Sequence, residues 1–230
     1  MSQERDLAKQ NAAKKAAELI EDGMIVGLGS GSTARYFIQS LIQRCHNGLK
    51  IEAVSSSLLS SAMAKDGGIP LINDSIFTKV DLYIDGADEI DLDKNLLKGG
   101  GGNLLREKIV ATSSHEMIVI VDEKKIVSQL GAFGLPVEIT RFGFKSTMLK
   151  ISDLGFKSVL RMEDGHPFIT DNGNFIVDVP FYPVSKNPHE DDEKIKSVPG
   201  VVETGFFFDI AGRIFIGYCD GHVELKSQLR

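Results

Sequence analysis

The sequence has no tryptophan, only two cysteines and seven prolines among 230 residues, and no long unbroken run of apolar side chains. Each scarcity excludes something. Cys45 and Cys219 lie far apart and match no metal-binding or redox spacing, so two free thiols are expected and a disulfide framework is not. No apolar stretch approaches the roughly 20 residues that a membrane-crossing helix needs. The opening MSQERDLAKQNAAKK lacks the apolar segment of a secretory signal, and a cytoplasmic protein is expected. Positive charge is not in excess either. With a formal charge of −6 and a pI of about 5.4, neither a nucleic-acid surface nor a face for acidic membranes is expected. A small anionic substrate would then need a local pocket of cations or backbone amides.

What is present is the composition of an ordinary soluble globular protein, 42% hydrophobic and 25% charged, long enough for one large or two modest units. There is no internal repeat. Leu7 to Glu21 reads as an amphipathic helix ended by Asp22-Gly23. Strands are expected at 24–28, 51–54, 69–72, 80–84 and 117–121, with helices over 33–46, 57–66 and 103–111. This alternation indicates a doubly wound, mostly parallel sheet. After Gly131 the pattern changes. Strands at 135–139, 159–162, 168–170, 175–179 and 201–208, with helices at 144–154 and 188–196, suggest a βαββαβ unit. Strands at 214–217 and 223–225 return to the first sheet. The expected fold is therefore α/β: a Rossmann-like catalytic domain of residues 1–130 and 208–230, with a smaller ferredoxin-like α+β domain inserted at 131–207.

The chain is organised around DGADEIDLDKNLLKGGGGNLLREKIVA, residues 85–111. It leaves a strand, crosses a polar loop and enters a helix, and the C-terminal ends of parallel strands are where such sheets bind ligands. Asp85 and Asp88 crowd the strand end, followed by Lys98 and the run Gly99, Gly100, Gly101, Gly102. Acidic loops with Asp-Gly turns are commonly just solvated. Four successive glycines are a different matter, because each adds backbone entropy to be lost on folding. Such a run makes sense where a ligand lies against the amides.

A second motif, Gly29-Ser30-Gly31-Ser32-Thr33, joins a strand to a helix N-terminus and exposes amides and hydroxyls suited to a small anion. A dinucleotide site is disfavoured, because Ser32 occupies the third glycine position of G-x-G-x-x-G. No G-x-x-x-x-G-K-[ST] occurs. The acid–base candidate is Glu107, early in the helix after the glycines, sharing a face with Asn103, Val110 and Ala111. A base for carbon-bound protons must be ionised yet partly desolvated, with a pKa near working pH. Lys98 can place positive charge on a developing enediolate oxygen. Asp85 and Asp88 can hold sugar hydroxyls or relay protons.

On these residues the chain closely resembles ribose-5-phosphate isomerases of the A type. The shared blocks are GLGSGSTA (27–34), AVSSS (53–57), YIDGADEID (83–91), KGGGGNLLREKIVA (98–111), LPVE (135–138), TDNGN (170–174) and PGVVETGFF (199–207). They run in the family's order and span nearly the whole chain. The resemblance implies interconversion of ribose 5-phosphate and ribulose 5-phosphate without metal or organic cofactor. It implies Glu107 as the base moving a proton between C2 and C1, with Lys98, Asp88 and neighbouring Asp85 as the other catalytic groups. It further implies a substrate site of Ser30, Gly31, Ser32, Thr33, Ser55, Ser56, Asp85, Gly86, Ala87, Asp88, Lys98, Gly99, Gly100, Gly101 and Lys125. The chain departs from the family's usual residues at Ser30 (threonine), Asn103 (alanine) and Lys124 (serine). None of these removes a catalytic group.

The rival readings are a sugar-phosphate deaminase or a CoA transferase on a similar sheet, and a non-catalytic sugar-phosphate sensor. The sensor would need a DNA-binding element, and neither a basic face nor a helix-turn-helix signal is found. The expected partner is a small phosphosugar, with no nucleic acid and no membrane, in a homodimer or homotetramer.

Overall fold

The computed structural model describes residues 2–181 and 187–229. In chain order the first part runs α1 (Ser2–Ala17), β1 (Ile25–Leu28), α2 (Gly31–His46), β2 (Glu52–Ser55), α3 (Leu58–Asp66), β3 (Val80–Asp85), β4 (Glu89–Ile90), β5 (Leu96–Leu97), α4 (Leu104–Thr112) and β6 (Ser114–Asp122). The second runs β7 (Leu135–Ile139), α5 (Phe144–Asp153), β8 (Val159–Leu160), β9 (Met162–Glu163), β10 (His166–Pro167), β11 (Phe175–Val179), α6 (Pro188–Lys196), β12 (Val201–Thr204), β13 (Phe206–Phe207), β14 (Ala211–Gly217) and β15 (Val223–Lys226).

The main sheet has the order β2-β1-β3-β6-β14, all parallel, with β15 antiparallel at the edge. Numbered by appearance, its parallel strands run 2-1-3-4-5, a doubly wound order whose switch point lies between β1 and β3. In β6, Met117 to Val121 is apolar without alternation and wholly buried, as a strand covered on both faces must be. One face carries α1 and α2, the other α4 and a small three-stranded sheet, β4-β5-β13. α1 offers only small side chains, Ala8, Ala12, Ala13, Ala16 and Ala17, and so lies close to β14: a Cβ on Gly217 would meet the Ala8 carbonyl oxygen at 2.0 Å. α2 buries Ala34, Phe37, Ile38 and Leu41 at helical spacing. Each of the larger three contributes about 1.5–3 kcal/mol by leaving water. Among the described residues no helix is long and apolar enough to cross a membrane.

Between β6 and β14 the chain builds a second sheet, β12-β7-β11-β8, antiparallel throughout. By appearance this is 4-1-3-2, the order of a βαββαβ unit. Ile151 of α5 and Ile195 of α6 join the strands in a core that Leu97 of β5 and Leu130 also enter. The strand expected over 201–208 is in fact two. Gly205 breaks it, because a Cβ there would sit 2.2 Å from the Lys98 carbonyl oxygen. Val201–Thr204 pairs with β7, whereas Phe206–Phe207 pairs with β5. That crossing stitches the second sheet to the segment carrying Lys98.

Other expectations are corrected. α1 stops at Ala17, where the amides of Glu18, Leu19 and Ile20 bond three residues back and tighten the chain out of the helix. Residues 69–72 make only a single parallel bridge, Leu71 to Ala53, since Pro70 has no N–H to donate. Residues 168–170 likewise make one bridge, Ile169 to Phe175. β4 and β5 were not expected at all, for two-residue strands carry no periodicity.

Candidate active site

β1 ends at Leu28 and α2 begins at Gly31, so Gly29 and Ser30 make the whole connection. Gly29 is required there, because a Cβ would lie 2.2 Å from Asp85 Oδ1. Ser30 holds the N-cap position but its side chain makes no capping bond. Its hydroxyl donates instead to Glu107 Oε1 at 2.6 Å. The leading amides of α2 are thereby left without a side-chain cap at the switch point, a place suited to an anion.

β3 supplies the centre. Asp85 is fully enclosed and accepts hydrogen bonds from the Tyr83 hydroxyl at 2.5 Å, Lys98 Nζ at 2.9 Å, the Ser30 amide at 3.0 Å and the Gly86 amide at 2.7 Å. Its oxygens are thus committed to holding other groups in place. Lys98 follows β5, and its main-chain N–H is fixed by the Gly205 carbonyl at 2.8 Å. Its buried Nζ also donates to the Gly86 carbonyl at 2.6 Å and stands 3.3 Å from Glu107 Oε2. Asp88 lies farther out and accepts the Gly100 amide at 2.8 Å.

Glu107 is only 4% exposed, on the first turn of α4. Its neighbours in sequence point elsewhere. Arg106 donates to Asn172 Oδ1 and the Asp171 carbonyl, and Lys108 pairs with Glu203 at 2.9 Å. The two cations tie α4 to the second sheet and leave Glu107 facing the main one. Glu107 Oε2 is buried and, despite its proximity to Lys98, has no aligned hydrogen bond. Burial is the largest influence on this carboxyl and lifts its pKa to about 7; the Lys98 charge opposes the rise and the Asp85 charge adds to it. For Lys98, burial pulls the other way, but the carboxylates of Asp85 and Glu107 outweigh it and hold the ammonium above its ordinary range. Burial and the Asp85 charge push the Tyr83 phenol well up, so it stays a donor. The arrangement is a lysine kept charged beside a carboxylate that titrates near neutrality.

These groups meet in a cleft of about 140 Å³. Of the residues singled out in the sequence, Ser30, Gly31, Ser32, Thr33, Gly86, Ala87, Asp88, Lys98, Gly99, Gly100, Gly101, Glu107 and Lys125 all line it. Asp85 lies beneath the floor. Ser55 and Ser56 do not reach the cleft: Ser56 Oγ is spent on the Leu28 carbonyl and Ser55 Oγ on that of Ser57, which shapes the β2–α3 turn. Lys124 gives only its backbone N–H to Asp122, and it is Lys125 that turns inward. Two cations in the lining were missed in the sequence, Arg5 and Lys9 of α1, with Lys9 Nζ donating to Ser32 Oγ at 3.1 Å. Their spacing of one helical turn was the only available signal, and nothing local ties them to residues far along the chain.

The comparisons with known proteins agree on one family. Residues 52–221 match the model of ribose 5-phosphate isomerase A (phosphoriboisomerase A). The chain is 48% identical to the ribose-5-phosphate isomerase A of Protochlamydia amoebophila over 96% of its own length and 95% of the relative's. With that of Bacillus mycoides it shares 50% identity, covering 94% of this chain and 98% of the other. The solved ribose 5-phosphate isomerase from Plasmodium falciparum superposes with a TM-score of 0.93 at 35% identity, over 98% of this chain and all (100%) of that one.

Proposed function

The chain belongs to the ribose 5-phosphate isomerase A family, and from that premise we propose how its own residues move the proton. The protein is an aldose–ketose isomerase interconverting D-ribose 5-phosphate and D-ribulose 5-phosphate, a step of the pentose phosphate pathway. The observation that carries the mechanism is Glu107: a buried carboxylate titrating near 7, between a serine hydroxyl and a lysine, in a cleft that also holds Arg5, Lys9 and Lys125.

The phosphate dianion sits at the Gly29–Thr33 turn among those three cations, where amide dipoles and charge both favour it. The sugar then extends toward Lys98, Asp88 and Glu107. Asp88 and Lys98 act on the anomeric hydroxyl and the ring oxygen as the C1–O4 bond breaks to release the aldehyde. Glu107 takes the C2 proton, and the bonding pair becomes the C1=C2 bond of an enediolate. Lys98 stabilises the charge that collects on its oxygens, a role for which it is already charged and held by Asp85. Protonated Glu107 returns its proton to C1, the proton on O2 passes to O1, and the ketose results. No metal or organic cofactor is needed for these steps. Asp85 works from beneath, as a positioning residue. Substrate contacts by Ser30, Ser32, Thr33 and residues 86–88 and 98–101 belong to the same proposal; Ser55 and Ser56 contribute through the shape of their turn.

The reading assigns catalysis to residues 1–130 and 208–230 and treats 131–207 as an insertion, supported by the core that the second sheet builds with its own two helices, to which Leu97 and Leu130 are added from the first unit. A cytoplasmic homodimer or homotetramer fits the two free thiols and the exposed apolar side chains Phe142, Leu149, Val159 and Met162. Sedimentation at the mass of a single chain would overturn the oligomer.

Proton NMR of ribose 5-phosphate with metal-stripped protein in D₂O tests the mechanism. Ribulose 5-phosphate should form, with deuterium at C1 or a proton carried there from C2. Isomerisation that stops on metal removal would overturn it.

A further inference from the structure

The glycine run is held from outside the main sheet. Arg161, between β8 and β9, forks in two directions. Its Nε and Nη2 engage the Asp178 carboxylate on β11, while Nη1 donates to the carbonyls of Gly99 at 2.9 Å and Gly100 at 3.0 Å. Phe168 packs from the same side, so close that a Cβ on Gly102 would lie 2.3 Å from its ring. On the cleft side, the Gly100 N–H donates to Asp88 Oδ2.

The Gly99 carbonyl and the Gly100 N–H belong to one planar peptide group and point in opposite directions. Arg161 holds its oxygen and Asp88 its hydrogen. Neither flanking residue has a Cβ, and Gly99 already sits at φ +103°, so no side chain opposes a flip of this peptide. A flipped group would aim its carbonyl dipole at the Asp88 carboxylate and remove the bond that orients it. The restraint must come from outside the loop, and a guanidinium suits it, because its fork can grip Asp178 and the two carbonyls together.

We propose that Arg161 is a positioning residue for the isomerisation: it locks the Gly99–Gly100 peptide with its N–H toward Asp88, so the second sheet completes the site on the first. The inference rests on the reading of Asp88 as the group that works on the sugar oxygens. It also gives the inserted unit a part in catalysis although none of its described side chains lines the cleft.

The test is a double-mutant cycle on the full chain, with kcat and KM for ribose 5-phosphate and Tm measured for each member. Arg161→Met should lower kcat about tenfold or more, the size of effect that a misplaced group produces, with little change in KM and a retained cooperative melt. Asp88→Asn should lower kcat as well. The double variant should lose little beyond Asp88→Asn alone, because both substitutions break one connection. Should Arg161→Met not fold, Arg161→Lys keeps charge and stem but not the fork, and the same non-additivity is expected. Losses that multiply in the double variant, or an unchanged kcat in a folded Arg161 variant, would overturn the lock while leaving the isomerase reading intact. A wild-type chain that does not turn over ribose 5-phosphate would remove the isomerase reading and the lock with it.

Discussion

Glu107 stands on the first turn of α4, where the helix dipole favours its charged form while burial disfavours it; burial wins and the carboxyl titrates near 7. The sign of the pH dependence follows. The base works only when deprotonated, so kcat/KM should fall as pH drops through about 7 and level off above it. A profile flat from pH 5 to 8 would count against Glu107 as the base. Glu107→Gln keeps the shape and the Ser30 hydrogen bond but cannot accept the proton. Turnover should fall by about 10²–10⁴ or more, while calorimetric affinity for the phosphosugar stays nearly as it was. Near-normal turnover would end the assignment.

At the scale of elements, the β1–α2 turn is built around one close approach. Gly29 lets Asp85 reach the Ser30 amide, and Asp85 in turn holds Lys98. Gly29→Ala drives a methyl into that carboxylate. Overpacking of this kind costs about 1–3 kcal/mol, read as a lower Tm. Because Asp85 must shift, Lys98 shifts too, and kcat/KM should fall by up to about 10²-fold. A Gly29→Ala chain with unchanged Tm and activity would show that the turn has room to spare. α4 illustrates the same dependence between elements. Its Arg106 and Lys108 anchor it to the second sheet, and Glu107, between them in sequence, is aimed by those anchors.

Over the whole molecule the net charge is −6, yet the cleft gathers Arg5, Lys9 and Lys125 at the leading amides of α2. An anionic substrate is thus drawn to one place on a protein that otherwise repels it. Removing one such contact by Lys125→Met should raise KM by roughly ten- to a hundredfold, as expected for a charged hydrogen bond of about 1.5–3 kcal/mol. The loss should fall on KM far more than on kcat, and inhibition by inorganic phosphate should weaken in parallel. If KM is unchanged while kcat collapses, Lys125 belongs to the chemistry and not to phosphate binding.

The sequence by itself determined the helices and buried strands of the main sheet, because continuous apolar runs and helical spacing are local properties. It also marked out residues of the cleft, since Asp88, Lys98, Gly99 to Gly101 and Glu107 fall within one stretch, and the glycine–serine turn reads as an anion site without any partner in view. What only the tertiary structure decided were matters of distance between segments remote in sequence. It brought Arg5 and Lys9 to Ser32 and Lys125, spent Ser56 on the Leu28 carbonyl, sank Asp85 below the cleft and set Arg161 against the glycine loop. It also broke the strand at Gly205, where another chain segment passes too near for a side chain. The raised pKa of Glu107 belongs here as well, for it comes from burial and from charges on other elements, quantities that no local pattern encodes.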